Sequence, residues 1–191
     1  MKAEKGNSVS DALRQKLETP RLFLRPMTIN DAEAFTKIIT PEISRWLANW
    51  PFPFTHELAV ERIESSLELA AFGDALPFVV IEKVSGNLAG WAMIKRDVHD
   101  RQKASFSYWM GEHYHGKGYM KEIAPVVLNA GFDVLGLDII EAGAQLENTA
   151  SFAVMKACGM EYIGEEMVYA AARKREEPCA CYQVKKAKET I

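Results

Sequence analysis

Cysteine is scarce in this chain: three residues in 191, Cys158, Cys179 and Cys181. A sparse, odd-numbered set excludes a disulfide framework and fits a reducing compartment such as the cytoplasm. Basic charge is not in excess either. Lys and Arg number 23 against 26 Asp and Glu, a net charge of −3, so the balance offers nothing to a nucleic-acid backbone. Long apolar runs are missing. The stretch from Ile123 to Ile140 is broken by Asn129, Asp133 and Asp138, which excludes a membrane-spanning helix there. The opening, Met1-Lys2-Ala3-Glu4-Lys5-Gly6-Asn7-Ser8, has no apolar centre of a secretory signal. Internal repeats and low-complexity tracts are also missing.

What remains is ordinary globular composition, 48% hydrophobic and 26% charged. The length predicts one domain with a single core. Residues 1–16 are polar and read as an arm, with a short helix from Val9 to Lys16; residues 17–191 form the domain. Thr19–Pro26 alternates between prolines and predicts a strand. Asp31–Ile39 predicts a helix, and Thr55 opens a second one that runs to Phe72. Strands follow at Pro77–Lys83, Leu88–Arg96 and Lys103–Met110, the first two joined by the turn Ser85-Gly86-Asn87. A helix from Tyr119 to Leu135, a strand from Leu137 to Ala144 and a helix from Asn148 to Gly159 come next. Two strands, Met160–Ala170 and Cys179–Lys185, close the chain. This order predicts an α+β fold: one mixed sheet of six or seven strands flanked by about four helices.

The join between the third strand and its helix carries the sharpest chemical signal: His113-Tyr114-His115-Gly116-Lys117-Gly118-Tyr119. A helix start leaves amide groups without partners and favours negative charge. Two glycines let the backbone approach a ligand closely. The segment is either a tight turn or a pyrophosphate site to which Lys117 adds charge. Asn148 is a good helix cap, with Gly159 past the end of the same helix. Glu57, Glu61, Glu64 and Glu68 share one helix face, which is solvated or attracts a cationic ligand. Trp46, Trp50, Phe52 and Phe54 surround proline breaks and read as core. His113, His115 and His99 form no recognisable metal-ligand set, so no metal is expected. Cys179 and Cys181 read as small buried hydrophobes.

Taken together, these segments resemble the GNAT superfamily of N-acetyltransferases, in its RimJ/RimL-type branch. Leu17-Glu18-Thr19-Pro20-Arg21-Leu22-Phe23-Leu24-Arg25-Pro26 is similar to the branch's opening. Ser107-Tyr108-Trp109-Met110 with Tyr114-His115-Gly116-Lys117-Gly118-Tyr119-Met120-Lys121-Glu122 is similar to its central motif. Asn148-Thr149-Ala150-Ser151 with Cys158-Gly159-Met160 is similar to its asparagine–serine–glycine helix. The resemblance spans residues 17–185 and implies a GNAT-like domain with a splayed sheet. It implies acetyl-CoA as cosubstrate, bound by Tyr108, Trp109, Met110, His115, Gly116, Lys117, Gly118, Tyr119, Met120 and Asn148. The resemblance also implies Ser151 as the catalytic acid, and the segment from Trp46 to Phe54 as an apolar lid over the acyl group and the acceptor. His113 stands where the superfamily has Gln or Arg, and Met155 stands where many members carry an acid tyrosine.

The expected reaction is direct transfer of an acetyl group to a primary amine, such as a peptide N-terminal α-amine. A polyamine or aminoglycoside acetyltransferase, or a non-catalytic acyl-CoA-binding module, are the alternatives. The acceptor amine is then the partner, with neither nucleic acid nor membrane involved, and the protein is a monomer or a homodimer. Asp97, His99, Asp100, Glu112 and Glu141 are candidate general bases, and spacing selects none of them.

Overall fold

Pro20 keeps the front of the segment predicted from Thr19 to Pro26 out of its strand, which starts at Leu22. It has no N–H for a ladder, and the Thr19 N–H turns to the Leu22 carbonyl at 2.9 Å. Two antiparallel strands result, β1 (Leu17–Glu18) and β2 (Leu22–Pro26). The computed structural model describes residues 17–187, so the arm and its helix at Val9–Lys16 lie outside the described residues.

A 3-10 turn at Ile29–Asp31 leads into α1 (Ala32–Ile38). Then comes a short helix absent from the sequence expectation, α2 (Pro41–Ser44), with Thr40 as cap and Pro41 at its first position. Helix α3 (His56–Ala71) starts at Thr55, whose hydroxyl accepts from the Leu58 N–H at 3.3 Å. Strands β3 (Ala75–Glu82), β4 (Leu88–Arg96) and β5 (Lys103–Met110) form an antiparallel meander. The chain continues through α4 (Tyr119–Val134), β6 (Ile139–Gln145), α5 (Thr149–Ala157), β7 (Glu161–Ala170) and β8 (Arg175–Lys185). One sheet orders them β1-β2-β3-β4-β5-β6-β8-β7. Its eight strands among the described residues exceed the expected six or seven because Leu17–Glu18, ahead of the first expected segment, forms a strand of its own.

Each face of the sheet carries its own core. Helices α4 and α5 cover Phe78, Ile94, Phe106 and Ile140, burying Ile123, Val127 and Met155 against them. Helices α1 and α3 cover the other face over Val79, Ile81, Trp91 and Trp109. Trp50 sits at the centre of that second core, with ring centroids 5.0 Å from Phe54, 5.2 Å from Trp91 and 5.5 Å from Trp109. Phe35 closes the cluster 5.3 Å from Trp109. Large aromatic rings in edge contact add to the area they bury. Trp50 and Phe54 are therefore core, Phe52 is exposed, and Trp46 is half-buried.

Two constraints fix the parts that matter for the site. Gly90 lies opposite Met110, where a Cβ would stand 2.5 Å from the Trp109 carbonyl oxygen. Only a glycine lets β4 lie this close to the end of β5. At the other end of the sheet, the β7–β8 hairpin is tied to the loop after α2. Ala172 N–H donates to the Ala48 carbonyl at 2.8 Å, and Arg173 Nη1 donates to the Ser44 and Leu47 carbonyls, each at 3.1 Å. Arg173 is held by Glu177, through Nε at 2.7 Å and Nη2 at 2.6 Å. Glu177 also accepts from Arg175 Nε at 2.7 Å and from the Gln145 amide. The Arg173 hydrogen bonds above all, with those of Arg175 and Gln145, hold the Glu177 carboxyl down to about 2.

Gly90→Ala is expected to destabilise the fold by about 1–3 kcal/mol, read as a lower midpoint in denaturant unfolding. Glu177 adds a pH signature. Its folded pKa lies below the unfolded value near 4.5, so its stabilisation is complete above about 4.5 and is lost as pH falls toward about 2. Glu177→Gln is expected to lower thermal stability at pH 7 and to flatten the acid limb of a Tm-versus-pH curve.

Candidate active site

Strands β5 and β6 are parallel neighbours for only three residue pairs, Lys103–Ile139, Ala104–Ile140 and Ser105–Glu141. Beyond Ser105, β5 stays with β4 as far as Met110. Beyond Glu141, β6 stays with β8 as far as Gln145. The two strands part, and a wedge-shaped gap opens in the middle of the sheet.

The phase of the β4–β5 ladder decides which groups face this gap. Asp97 N–H donates to the Lys103 carbonyl and Gly111 N–H to the Ala89 carbonyl, both at 2.9 Å. Odd-numbered residues from Lys103 to Gly111 thus turn their backbone groups toward β4. Tyr108 and Met110 turn theirs toward the gap. The Met110 carbonyl is already taken by His115 Nε2 at 2.8 Å, which leaves the Met110 and Tyr108 amides and the Tyr108 carbonyl. Trp109 turns its amide to β4 and its side chain into the aromatic core.

At the head of the gap the chain makes a 3-10 turn at Glu112–Tyr114 and enters α4. Gly116 and Gly118 both take positive φ, 73° and 75°, a region that favours glycine. The first helical bond runs from the Glu122 N–H to the Gly118 carbonyl at 3.1 Å. Among the described residues no acceptor meets any of the six amides from Gly116 to Lys121. The expected residues of this loop come together, but His115 spends its N–H on the Glu112 carbonyl at 3.0 Å and its ring on the Met110 carbonyl, and Tyr119 and Met120 present only backbone, since their side chains are buried. Lys117 is partly committed: Nζ lies 3.8 Å from Glu82 Oε1 and over the Tyr114 and Tyr119 rings.

Helix α5 lines the other side of the gap. Asn148 caps it through Oδ1, which accepts from the Ser151 N–H at 3.1 Å. The Asn148 amide NH₂ and the Ser151 hydroxyl have no partner among the described residues. Tyr108 reaches across, donating its hydroxyl to the Ser151 carbonyl at 3.3 Å. Burial pushes the Tyr108 phenol up to about 12, so it stays protonated at working pH. Met155 is core, 1% exposed, and offers no acid. Cys158 ends α5 near Tyr108, and burial raises its thiol to about 11. It is not a thiolate nucleophile at neutral pH.

The candidate bases separate by position. Asp97, His99 and Asp100 form the β4–β5 turn, where Asp97 Oδ1 accepts the His99 and Asp100 amides. Seven strand steps place this turn about 24 Å from Met110. Glu112 accepts from the Thr40 hydroxyl. Glu141 stands at the base of the gap, 3.6 Å from Lys103 Nζ. A cleft of about 370 Å³ opens beyond the end of β6, lined by Arg45, Trp46, Gln145, Glu147, Arg175 and Glu177. Glu57, Glu61, Glu64 and Glu68 are all exposed. No three His, Cys, Asp or Glu side chains group as metal ligands among the described residues.

Arg21 enters the sequence expectation only within the opening motif, yet its side chain reaches the Lys117 carbonyl at 2.8 Å. The pairing spans 96 residues of sequence, and no local signal announces it.

Residues 21–161 match the acetyltransferase (GNAT) domain family. An uncharacterized N-acetyltransferase p20 of Bacillus licheniformis is 27% identical over 162 residues, 84% of this chain and 90% of that one. Among solved structures, the ribosomal-protein-S5-alanine acetyltransferase of Vibrio fischeri superposes with a TM-score of 0.77 at 21% identity, over 90% of this chain and 96% of that one. RimJ of Mycobacterium smegmatis, in complex with CoA-disulfide, superposes with a TM-score of 0.76 at 22% identity, over 90% of this chain and 86% of that one. With a family match over most of its length and a sheet that parts between β5 and β6, the chain belongs to the GNAT acetyltransferases.

Proposed function

We propose that this acetyltransferase uses acetyl-CoA and transfers the acetyl group to an α-amine, such as the N-terminus of a peptide. The observation that carries the reading is the gap between β5 and β6, headed by six amides without acceptors. A strand-like pantetheine chain finds hydrogen-bond partners along Tyr108 and Met110, as an added strand does at a sheet edge. The amides from Gly116 to Lys121 receive the pyrophosphate, with the helix dipole behind them. The free NH₂ of Asn148 donates to a pantetheine amide from the opposite wall.

The chain's own groups then perform the transfer. The Met110 N–H faces the thioester carbonyl and stabilises the negative charge that grows on its oxygen during attack. The amine nitrogen forms the new C–N bond as the C–S bond breaks. The Ser151 hydroxyl, or water held beside it, gives its proton to the leaving sulfur. The nitrogen sheds its extra proton to water in the cleft beside Trp46. No cysteine thiolate intervenes, in keeping with the raised thiol of Cys158.

The α-amine preference rests on acid–base arithmetic. Among the described residues, every carboxyl with a resolved shift is lowered, not raised. None is tuned as a strong base. An α-amine near 7.7–8.0 is already partly neutral at pH 7, whereas a lysine amine near 10.4 is not. The three cysteines, none in a disulfide, support a cytoplasmic setting.

Gly118→Glu is expected to abolish acetyl-CoA binding in calorimetric titration while the circular dichroism spectrum stays native; retained binding moves the pyrophosphate elsewhere. Ser151→Ala is expected to lower kcat by about a hundredfold with little change in the KM for acetyl-CoA. A panel of N-terminally free peptides should be acetylated faster than blocked peptides carrying a lysine, and equal rates would refute the α-amine preference.

A further inference from the structure

The phosphate loop is held in shape from outside. Arg21, in the turn between β1 and β2, uses all three guanidinium nitrogens at once. Nε and Nη2 each lie 2.6 Å from Glu122 Oε2, and Nη1 donates to the Lys117 carbonyl at 2.8 Å. The guanidinium also rests over the Tyr119 ring, 4.6 Å from its centroid. Glu122, in the first turn of α4, is itself fixed from two more directions. Its Oε1 accepts from the Thr19 hydroxyl at 2.6 Å and from the Arg21 amide at 2.9 Å. Burial alone would raise the Glu122 carboxyl, but these hydrogen bonds outweigh it and keep the group ionised. The β1–β2 turn and the start of α4, a hundred residues apart in sequence, are thereby one rigid piece.

We propose that Arg21, oriented by Glu122, is a positioning residue for the pyrophosphate loop. The planarity of the peptide group makes this contact directional. In a trans peptide the carbonyl and the following N–H point in opposite directions. Arg21 draws the Lys117 carbonyl to its own side, so the Gly118 N–H must point the other way, among the free amides of the loop. Gly118, whose φ of 75° turns with this peptide, would otherwise give it freedom to flip. Arg21 thus removes a conformational choice and presents the amide already aimed at an anion. Charge is secondary here, because Glu122 neutralises the guanidinium. A lysine keeps the charge but has a single nitrogen, so it cannot hold Glu122 and the Lys117 carbonyl in one planar fork.

The inference rests on acetyl-CoA as the cosubstrate, and the test separates the two. The full-length protein and its Arg21→Ala, Arg21→Lys and Glu122→Gln variants are titrated with CoA. They are also assayed for turnover of acetyl-CoA and of S-acetyl-pantetheine, which lacks the pyrophosphate. Losing a hydrogen bond to a charged group predicts an affinity for CoA about tenfold weaker in Arg21→Ala. The preference for acetyl-CoA over S-acetyl-pantetheine should fall by the same factor, and Arg21→Lys should not restore it. Glu122→Gln gives the sharpest result. Removing a carboxylate beside an anion site should tighten CoA binding if only charge matters; positioning predicts that it weakens. Tighter binding in Glu122→Gln would overturn the proposal. So would an equal loss with both thioesters in Arg21→Ala, or CoA affinity unchanged in that variant. A wild-type protein that bound no CoA would overturn the acetyl-CoA reading itself.

Discussion

The parting of β5 from β6 after Ser105 and Glu141 is the constraint on which the rest of the site depends. A sheet is stable because each strand satisfies the backbone of its neighbour. Where two central strands separate, donors and acceptors are left facing each other across empty space, which the interior of a sheet does not tolerate without water or a ligand. Here the gap is kept open from both sides. Gly90 binds β5 tightly to β4, and the β6–β8 ladder runs unbroken to Gln145 and Cys179. Each arm of the wedge is held by a partner on its outer side, so neither relaxes inward. His115 takes the Met110 carbonyl, and the groups that remain in the gap are mostly donors. Such a lining suits carbonyl oxygens and developing negative charge.

The two faces of the sheet divide the work. On one face, α4 and α5 carry the amide cluster, Asn148 and Ser151. On the other, the aromatic core around Trp50 supports the loop after α2, and the Arg173–Glu177 network ties that loop to the β7–β8 hairpin. The cleft beside Trp46 lies between loop and hairpin.

Elements whose signals are local were legible in the sequence. Strands β4 and β5 end where their alternation and flanking turns say, and α5 starts at Asn148 because a side-chain oxygen there has an amide to accept. The loop glycines were legible for the same reason: positive φ is a one-residue property. Helix α2 was overlooked although Thr40 and Pro41 announce it, because four residues are too few to show a period. Strand β1 was not legible because its two residues, Leu17 and Glu18, are too few to show an alternation and lie before the proline that bounds the expected segment. The gap is a different matter. Nothing in the residues of β5 or β6 says that their pairing stops after three rungs, since that follows from how each is held on its far side. Arg21 with Glu122 and Arg173 with the loop after α2 were illegible on the same ground. Each joins segments about a hundred residues apart, and a charged residue in a turn reads as solvated until its partner is known.

The charge balance around the phosphate loop carries the last step. Three cations stand there. Arg21 has Glu122 at 2.6 Å, Lys117 has Glu82 at 3.8 Å, and Lys121 is exposed with no ion pair among the described residues. Two of the three charges are neutralised in pairs, so the loop offers a polyanion little net positive charge beyond one lysine. What it offers is six amides in fixed directions and the positive end of a 16-residue helix. Affinity built this way depends on geometry more than on ionic strength, because hydrogen bonds at contact distance are screened far less than charges a Debye length apart. It also explains why a chain of net charge −3 carries no penalty for holding an anionic cosubstrate. The overall charge acts at long range, through solvent. The amides act at about 3 Å, and the carboxylates nearest the loop, Glu122 and Glu82, are each taken by a cation.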